Sequence, residues 1–278
     1  MPELTNPRAE RVRAVRALAG RSARLRHGRY LVEGPQGVRE LVVEAPGDVV
    51  DLYLTDSSAG RHDELVAAAA VAGIRPRIGT AEVLAAMSPD AQEVLAVART
   101  RVVGAADVLR AAPRLVAVLH HVRDPGNAGT VIRAADAAGA DGAVLTEASV
   151  DVHSPKVIRS TAGSFFHLPV ATGAVLPEVV ALLRAAGLQV LAADGGGEWD
   201  LDDLLDLVGD PARPSAAPDL AAPTAWLFGN EAWGLRPEDR ALADAVVRVP
   251  LHGRAESLNL ATAATVCLYA SARAQRRS

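Results

Sequence analysis

Cysteine, lysine and aromatic residues are scarce in this sequence of 278 residues. The single cysteine, Cys267, excludes an intrachain disulfide and a cysteine-based metal cage. No apolar run reaches the roughly 20 residues that span a bilayer. The first twenty residues carry Arg and Glu where a secretory signal needs a continuous apolar stretch. We therefore expect a cytoplasmic protein, with cores built mainly from Ala, Val and Leu because aromatic residues make up only 3% of the chain.

Positive charge is concentrated near the N-terminus, although the net charge of the chain is −4. The first thirty residues contain eight arginines against two glutamates. A local excess of this kind attracts phosphate backbones, although a solvated helix face would show the same pattern. The candidate phosphate contacts in this segment are Arg8, Arg11, Arg24, Arg26 and Arg29.

Helices and strands alternate along the chain in two series, which predicts an α/β protein with two domains. Residues 1–100 are predicted to form a small layered α/β domain, with a helix over 6–19 followed by a basic loop. Residues 101–113 read as a connector. Residues 114–278 are predicted to form parallel βαβ units, and the Pro- and Ala-rich stretch 209–224 between them is expected to be an exposed, mobile insertion.

The first segment with candidate chemistry is HHVRDPGNAGTVIRAADAAGA, residues 120–140. A strand runs into a Pro-Gly turn, after which Asn127 occupies a predicted helix N-cap position. Arg133 follows on the helix among small apolar residues. An ordinary helix start with a surface arginine would show the same pattern.

Two further segments place polar residues after predicted strands. In WLFGNEAWGL, residues 226–235, an apolar strand ends at Gly229 and is followed by Glu231 and Trp233. These side chains are either recognition groups at the carboxyl end of a parallel strand or a polar turn with a packing indole. In VPLHGRAESLNLATAATVCLYA, residues 249–270, Ser257 and Asn259 precede an apolar helix and are candidates to cap it.

Together the three segments resemble the signature motifs of the SpoU/TrmH branch of the SPOUT methyltransferases. The family pattern is Asn-x-Gly with a following Arg, then Phe-Gly-x-Glu-x-x-Gly, then Pro followed by Glu/Ser-Ser-Leu-Asn. The chain has these in order, as Asn127-Ala128-Gly129 with Arg133, Phe228-Gly229-Asn230-Glu231-Ala232-Trp233-Gly234, and Pro250 with Glu256-Ser257-Leu258-Asn259. Upstream, residues 30–34 resemble, over a shorter stretch, the start of the family's N-terminal substrate domain, which is akin to small ribosomal RNA-binding proteins.

The resemblance implies a fold, a cofactor and a reaction. The C-terminal domain would carry a deep trefoil knot and work as a homodimer with the active site at the interface. S-adenosylmethionine (AdoMet) would donate a methyl group to a ribose 2′-hydroxyl of RNA. The residues implied to hold AdoMet are Leu227, Gly229, Val249, Leu251 and Leu258. The residues implied to act in catalysis are Asn127, Arg133, Glu231, Ser257 and Asn259.

The resemblance also implies roles for arginines. Arg133 would come from the opposite subunit and is the family's proposed base. A guanidinium holds its proton too tightly for outright deprotonation, so we expect Arg133 to position a phosphate or polarise the hydroxyl. Arg123 is a further predicted RNA contact.

The predicted substrate is 23S rRNA. A transfer RNA and a non-catalytic RNA-binding module are the alternatives, of which the second leaves the three motifs unexplained. A Rossmann enzyme is disfavoured because the Gly cluster at 195–197 lacks the required spacing and reads as a loop. A zinc site is disfavoured because the histidines form no ligand group with the single cysteine, and no metal is predicted.

Overall fold

The computed structural model describes residues 2–277, which form two compact units. The first unit contains the described residues up to Arg101 together with Asp151–His167, and the second contains Val102–Val150 and the described residues from Leu168 onward. From the sequence we predicted one domain over residues 1–100 and another over residues 114–278, whereas the structure places residues 151–167 in the first unit. None of the helices within residues 2–277 is both long and apolar enough to cross a membrane.

The elements up to residue 101 alternate between short helices and strands. They are α1 (Glu10–Ala17), α2 (Arg21–His27), β1 (Arg29–Glu33), α3 (Pro35–Glu44), β2 (Val49–Leu54), α4 (Asp56–Arg61), α5 (Asp63–Val71), β3 (Arg77–Ile78), α6 (Ala81–Met87) and β4 (Val94–Arg99).

The later elements follow the same alternation. They are α7 (Ala105–Val108), β5 (Leu115–Leu119), α8 (Pro125–Ala138), β6 (Gly142–Thr146), α9 (Pro155–Ser160), β7 (Val170–Ala174), α10 (Leu176–Ala185), β8 (Gln189–Ala193), β9 (Trp199–Asp200), α11 (Leu201–Asp206), β10 (Thr224–Phe228), α12 (Pro237–Arg240), β11 (Ala245–Arg248) and α13 (Leu260–Gln275).

The first unit is built on a four-stranded sheet in the order β1-β4-β2-β3. Strand β4 pairs antiparallel with β1 and β2, and β2 pairs parallel with β3. One face of the sheet packs under α1 and α6, where Val12, Val15, Leu31 and Leu84 are buried. The other face packs under α3 and α5. Two covered faces explain why β4 reads as an almost unbroken apolar run.

Residues 151–167 complete the first unit. Ile158 of α9 is buried in the core beneath α3 and α5. Arg159 of α9 forms an ion pair with the buried Glu33 at the end of β1. Arg159 also pairs with Asp90 at 3.0 Å, so the contacts of α9 join the later segment to the first unit.

The second unit is built on a seven-stranded parallel sheet in the order β7-β6-β5-β10-β8-β11-β9. The prediction of parallel βαβ units is thereby confirmed. Helices α7 and α10 cover one face, where Leu227 of β10 lies in a core of Val and Leu side chains. Helices α8 and α13 pack together on the other face, where the Nε1 of Trp226 donates to the Ser271 hydroxyl at 2.9 Å.

Two local predictions are wrong. The predicted basic loop after the first helix contains a helix, α2, because Arg24 is buried and fastens it by tertiary contacts. The stretch 209–224 is not simply exposed, since Ala217 and Leu220 are buried. The side chain of Gln189 also donates to the carbonyl of Asp219 at 2.5 Å and so ties this stretch to β8.

Candidate active site

A cavity of about 330 Å³ lies at the carboxyl ends of β8, β10 and β11 in the second unit. This is the edge of a parallel sheet at which ligands commonly bind. Three stretches of chain line the cavity, and each follows one of these strands. The lining residues are Ala193, Asp194, Gly195, Gly229, Asn230, Glu231, Ala232, Gly234, Val249, Leu251, Glu256, Ser257, Leu258, Leu260 and Ala263.

Four of the five residues implied to hold the cofactor line this cavity. Gly229 follows β10, Val249 follows β11, and Leu251 and Leu258 lie in the loop before α13. Leu227 does not line the cavity. Side chains of a strand alternate between its two faces, and the side chain of Leu227 lies in the core beneath α10.

The glycines let the chain fold tightly around the cavity. A Cβ atom on Gly229 would collide with the backbone of Gly234 and Leu235. Gly234 itself has φ +66°, a left-handed conformation that side chains disfavour. Any larger residue at position 229 would therefore open the turn that shapes the cavity wall.

Three of the predicted catalytic residues form one hydrogen-bonded cluster. The Nδ2 of Asn127 donates to Glu231 Oε1 at 3.4 Å, and the Nδ2 of Asn259 donates to Asn127 Oδ1 at 3.0 Å. Glu231 also accepts the backbone N–H of Asp124 at 3.0 Å and that of Arg123 at 3.3 Å. The cluster joins the loop after β10 to the starts of α8 and α13.

The helix starts differ in one respect from the prediction. Asn127 is not the N-cap of α8. Asp124 is the N-cap, its Oδ1 accepts the Asn127 backbone N–H at 2.8 Å, and Pro125 opens the helix. A proline at the first helical position and an aspartate before it are a favoured pair at helix starts. The Asn127 side chain is thereby left to reach across to Glu231.

Asn259, by contrast, is the N-cap of α13, as predicted. Its Oδ1 accepts the backbone N–H groups of Ala261 at 2.9 Å and Thr262 at 3.4 Å. Ser257 makes no such bond to the helix. It lines the cavity as an exposed residue, and its hydroxyl has no hydrogen-bond partner among residues 2–277.

Arg133 also has no hydrogen-bond or ion-pair partner within the described chain. It lies on the exposed side of α8 and does not line the cavity. Thr130 and Ala137 are exposed on the same side, since residues three and four apart share a helix face. On the neighbouring α13, Val266 and Tyr269 are exposed by 39% and 49%.

The loop after β10 is held rigid by Asn230, which the motif leaves unspecified and which we did not predict. Its backbone exchanges two hydrogen bonds of 2.9 Å with Gly234. Its buried side chain donates to the carbonyl of His121 at 2.8 Å and accepts the N–H of Ala232 at 2.8 Å. These bonds on both sides of Trp233 hold its backbone in a fixed position.

Trp233 is 46% exposed, so it is not the packing indole that turn chemistry alone would explain. The guanidinium carbon of Arg123 lies 5.4 Å from the centre of the indole ring, within the range of a cation–π contact. The backbone N–H of Arg123 is one of the donors to Glu231. The indole and guanidinium thus stand directly beside the polar cluster.

The stretch after β8, which we predicted only to be a loop, also lines the cavity. Ala193, Asp194 and Gly195 are among the lining residues. The one indication in the sequence was the position of this loop, which follows a buried strand of the same parallel sheet as the motif strands. It carries no family motif, and its glycines suggested only a turn.

A buried histidine lies under the first motif. The Nδ1 of His120, at the end of β5, is 2.9 Å from the Thr146 hydroxyl, and its Nε2 is 3.1 Å from Asp239 Oδ2. Burial lowers the pKa of His120, assisted by the neighbouring His121. Within residues 2–277 no group of three acidic, His or Cys side chains is placed to hold a metal ion.

The arginines predicted to bind phosphates near the N-terminus fall into two groups. Arg8, Arg11, Arg26 and Arg29 are exposed. Arg24 is buried, so the prediction that it contacts a phosphate is wrong. Its guanidinium donates twice to Asp151, at 2.7 and 3.1 Å, and to the carbonyls of Leu18 and Ala19 at 3.0 and 2.6 Å. Because these bonds occupy its donors, Arg24 is a structural residue of the first unit.

Known proteins resemble both the motif region and the whole chain. The SpoU rRNA Methylase family matches residues 114–269. A 23S rRNA (uridine(2479)-2′-O)-methyltransferase of Streptomyces viridochromogenes is 39% identical over 155 residues, which cover 54% of this chain and 49% of that protein. The 23S rRNA (guanosine(2553)-2′-O)-methyltransferase RlmP of Bacillus subtilis is 29% identical over 97% of this chain and 98% of its own length.

A solved structure agrees with these relatives. The crystal structure of an AdoMet-bound rRNA methyltransferase from Sinorhizobium meliloti superimposes with a TM-score of 0.79 and 29% identity over 97% of each chain. The family match covers more than half of this chain and includes all three motifs and every residue that lines the cavity. The chain therefore belongs to the SpoU rRNA methylase family.

Proposed function

We propose that this protein transfers the methyl group of AdoMet to a ribose 2′-hydroxyl of 23S rRNA. The observation that carries the proposal is the cavity at the sheet edge, where segments after β10 and β11 meet and where Glu231, which lines the cavity, is hydrogen-bonded to Asn127 and through it to Asn259. The relatives from S. viridochromogenes and B. subtilis are both named as 23S rRNA 2′-O-methyltransferases, which supports the same acceptor.

The chemistry of the cavity suits AdoMet. Its walls combine apolar side chains, such as Val249 and Leu258, with three carboxylates, Asp194, Glu231 and Glu256, and no basic side chain is among the lining residues. An apolar cavity with a few polar groups is the usual form of a cofactor site. A cofactor that carries a sulfonium and an ammonium group is favoured by nearby carboxylates.

AdoMet, when bound, supplies an electrophilic methyl group on a positively charged sulfur. The remaining requirement is a correctly placed hydroxyl that loses its proton during transfer. The side chains of Glu231, Asn127 and Asn259 already hydrogen-bond within the cluster, so their proposed role is to position the reacting groups. Ser257 and Arg133 have no hydrogen-bond partner among residues 2–277, and their proposed role is to contact the RNA ribose and phosphate.

The position of Arg133 supports a homodimer. On its own chain it lies outside the cavity, on an exposed side of the α8–α13 pair that also carries Val266 and Tyr269. Exposed apolar side chains grouped in this way are typical of interfaces. We propose that a second copy packs on this face and that each chain lends Arg133 to the other's cavity.

The strand order supports the knot that the family resemblance implies. The chain leaves β11 on the far side of β8 and then returns to start α13 beside α8, where Asn259 contacts Asn127. We propose that this return passes through a loop of the chain and forms a trefoil knot.

We further propose that the first unit binds RNA, as expected for the family's substrate domain. Its exposed arginines Arg8, Arg11, Arg26 and Arg29 would contact phosphates. Near the cavity, the Trp233–Arg123 pair would stack on an RNA base, because unpaired bases commonly stack on aromatic rings and guanidinium planes. A ribosomal RNA substrate is consistent with a cytoplasmic protein.

The deciding experiment is the transfer of tritium from labelled AdoMet to 23S rRNA, followed by mapping of the methylated ribose. Arg133→Ala is expected to bind AdoMet normally in calorimetry and to lose about 100-fold or more in turnover. Wild-type turnover by this variant contradicts the role of Arg133. Transfer to tRNA in place of rRNA contradicts the proposed substrate. AdoMet binding without transfer to either RNA contradicts the proposed activity.

A further inference from the structure

We propose that a second cavity, located in the first unit, binds one unstacked nucleotide of the RNA substrate. This inference rests on the proposed function, because it takes RNA as the substrate. The cavity measures about 500 Å³ and lies between α1 and the sheet. Its lining residues are Glu10, Arg11, Ala14, Val15, Leu18, His27, Arg29, Asp51, Tyr53 and Val97.

Two arginines beside this cavity have no acidic partner: Arg29, which lines it, and Arg99. Arg29 on β1 lies directly opposite Arg99 on the antiparallel β4. Both are exposed, and neither has a hydrogen-bond or ion-pair partner among residues 2–277. Like charges directly opposite each other destabilise a strand pair. An anion such as a phosphodiester between the two guanidinium groups removes this repulsion.

The wall of the cavity contains an unsatisfied buried hydroxyl. Tyr53 is fully buried, and its hydroxyl makes no well-formed hydrogen bond among residues 2–277, although the side chains of Asp51 and Arg11 lie within its reach. Burial and the nearby Asp51 raise the pKa of Tyr53 to about 12, so it remains a donor at neutral pH. Buried polar atoms without a partner are rare in folded proteins, and one beside a cavity indicates a partner that arrives with a ligand.

An ion pair beside this hydroxyl also lines the cavity. Arg11 and Asp51, whose charges both act on Tyr53, are 3.4 Å apart, and Asp51 also pairs with Arg77 at 2.9 Å. At 3.4 Å the Arg11–Asp51 contact is long, and Asp51 stays paired with Arg77 if Arg11 moves away. A phosphate that attracts Arg11 would give a ligand access to the hydroxyl.

The floor of the cavity is apolar, formed by Val15, Leu18 and Val97. A cationic rim beside an apolar floor and a hydroxyl donor matches a nucleotide, which has a phosphate, a flat base and acceptor atoms on the base edge. Recognition of RNA outside double helices commonly uses splayed-out bases of this kind. The cavity lies within the usual size range of ligand sites.

The test compares two double variants of the full-length protein that remove the same charge. Arg29→Ala/Arg99→Ala removes the opposed pair of arginines, of which Arg29 lines the cavity. Arg13→Ala/Arg16→Ala removes two exposed, unpartnered arginines of α1 that do not line it. Filter binding to an unmethylated 23S rRNA transcript is measured across a salt series, together with AdoMet affinity and Tm.

For the Arg29→Ala/Arg99→Ala variant we expect about a tenfold loss of RNA affinity, and the slope of log K against log salt becomes shallower by about 0.7, the value for one single-strand phosphate. The control variant is expected to lose less than about threefold. AdoMet affinity stays at the wild-type value, and the Tm does not fall because a repulsion has been removed. An equal loss in both variants, or no loss in either, overturns the proposal.

Tyr53→Phe provides a second readout that general electrostatics would not change. Removal of an unsatisfied buried hydroxyl is expected to raise the Tm, while RNA affinity falls by about fivefold. Wild-type RNA affinity in this variant overturns the role of the hydroxyl. If the wild-type protein itself fails to methylate rRNA, the proposed function fails instead, so the two failures are distinguishable.

Discussion

Individual residues of the candidate active site differ in how many of their hydrogen-bonding atoms are already used. Both side-chain ends of Asn127 are bonded, one to Glu231 and one to Asn259. Ser257 and Arg133 have no partner among residues 2–277. A side chain with occupied donors and acceptors holds its neighbours in place, whereas a free one is available to a substrate. This division follows from contacts that the motifs alone do not reveal.

Trp233 gives a prediction at this scale. Trp233→Ala is expected to raise the KM for rRNA by about tenfold, since stacking of a base on an aromatic ring contributes about 1–3 kcal/mol. Trp233→Phe keeps a ring at the same place and should recover most of the loss. AdoMet affinity should stay unchanged in both variants, as the indole is not among the cavity-lining residues. A KM for Trp233→Ala equal to the wild-type value contradicts base stacking.

Among the elements, α2 shows most clearly what the sequence could not reveal. Its residues, RSARLRH, have no apolar face, so they read as a loop. The helix depends on Arg24, whose partner Asp151 lies 127 residues away. A single sequence does not indicate such a distant pairing. The same reasoning selected Arg24 as an RNA contact, because a buried arginine and an exposed one look alike in sequence.

This pairing leads to a stability prediction. Arg24→Ala leaves Asp151 without its main partner and is expected to lower the free energy of unfolding by about 3 kcal/mol, as for other broken ion pairs with a buried member. The matched control is Arg26→Ala, two residues away and exposed, with an expected effect within about 0.5 kcal/mol. Urea unfolding followed by circular dichroism measures both. Equal effects would show that α2 does not depend on the buried pair.

The strands of the second unit were far easier to predict. Strands β5, β6 and β10 are buried along their whole length, and parallel strands covered on both faces produce continuous apolar runs. The first two motifs follow β5 and β10 and the third follows β11, so their meeting at one sheet edge was also predictable. Among the side-chain bonds, the Asp124 cap had a signal in the Asp-Pro pair at the helix start, whereas the bonds of Asn230 depend on backbone geometry that single-residue preferences do not specify.

For the molecule as a whole, one buried and one partly buried histidine predict a loss of stability in mild acid. Burial lowers the pKa of His120 and of His153 from the ordinary value of 6.5. Between 6.5 and the lowered values the unfolded chain binds more protons than the folded one, so stability falls as the pH falls. The urea midpoint should therefore be lower at a pH of about 5.5 than at about 7.5.

His153→Phe is the matched variant for this effect. The His153 ring lies 4.8 Å from Tyr30 and 5.6 Å from Phe165, so a phenyl ring preserves the aromatic contacts. The variant should show a smaller decrease in the urea midpoint over the same pH interval. A decrease as large as that of the wild-type protein would mean that His153 takes no part.

The proposed exchange of Arg133 between two copies can be tested by complementation. Arg133→Ala and Glu231→Gln chains are each expected to be nearly inactive. When the two are co-expressed with different tags, half of the dimers are mixed, and each mixed dimer has one complete site, which gives about a quarter of wild-type activity. If Arg133 acts on the cavity of its own chain, the mixture stays inactive.

The membership of residues 151–167 in the first unit has a consequence for synthesis. Chains fold from the N-terminus as they leave the ribosome. The first unit, however, is incomplete until the segment Asp151–His167 has emerged. Until then Arg24 has no Asp151, Glu33 has no Arg159, and Ile158 is absent from the core. We therefore expect that a nascent chain stalled shortly after residue 101 remains sensitive to protease, and that protection appears only once the ribosome has passed well beyond residue 167.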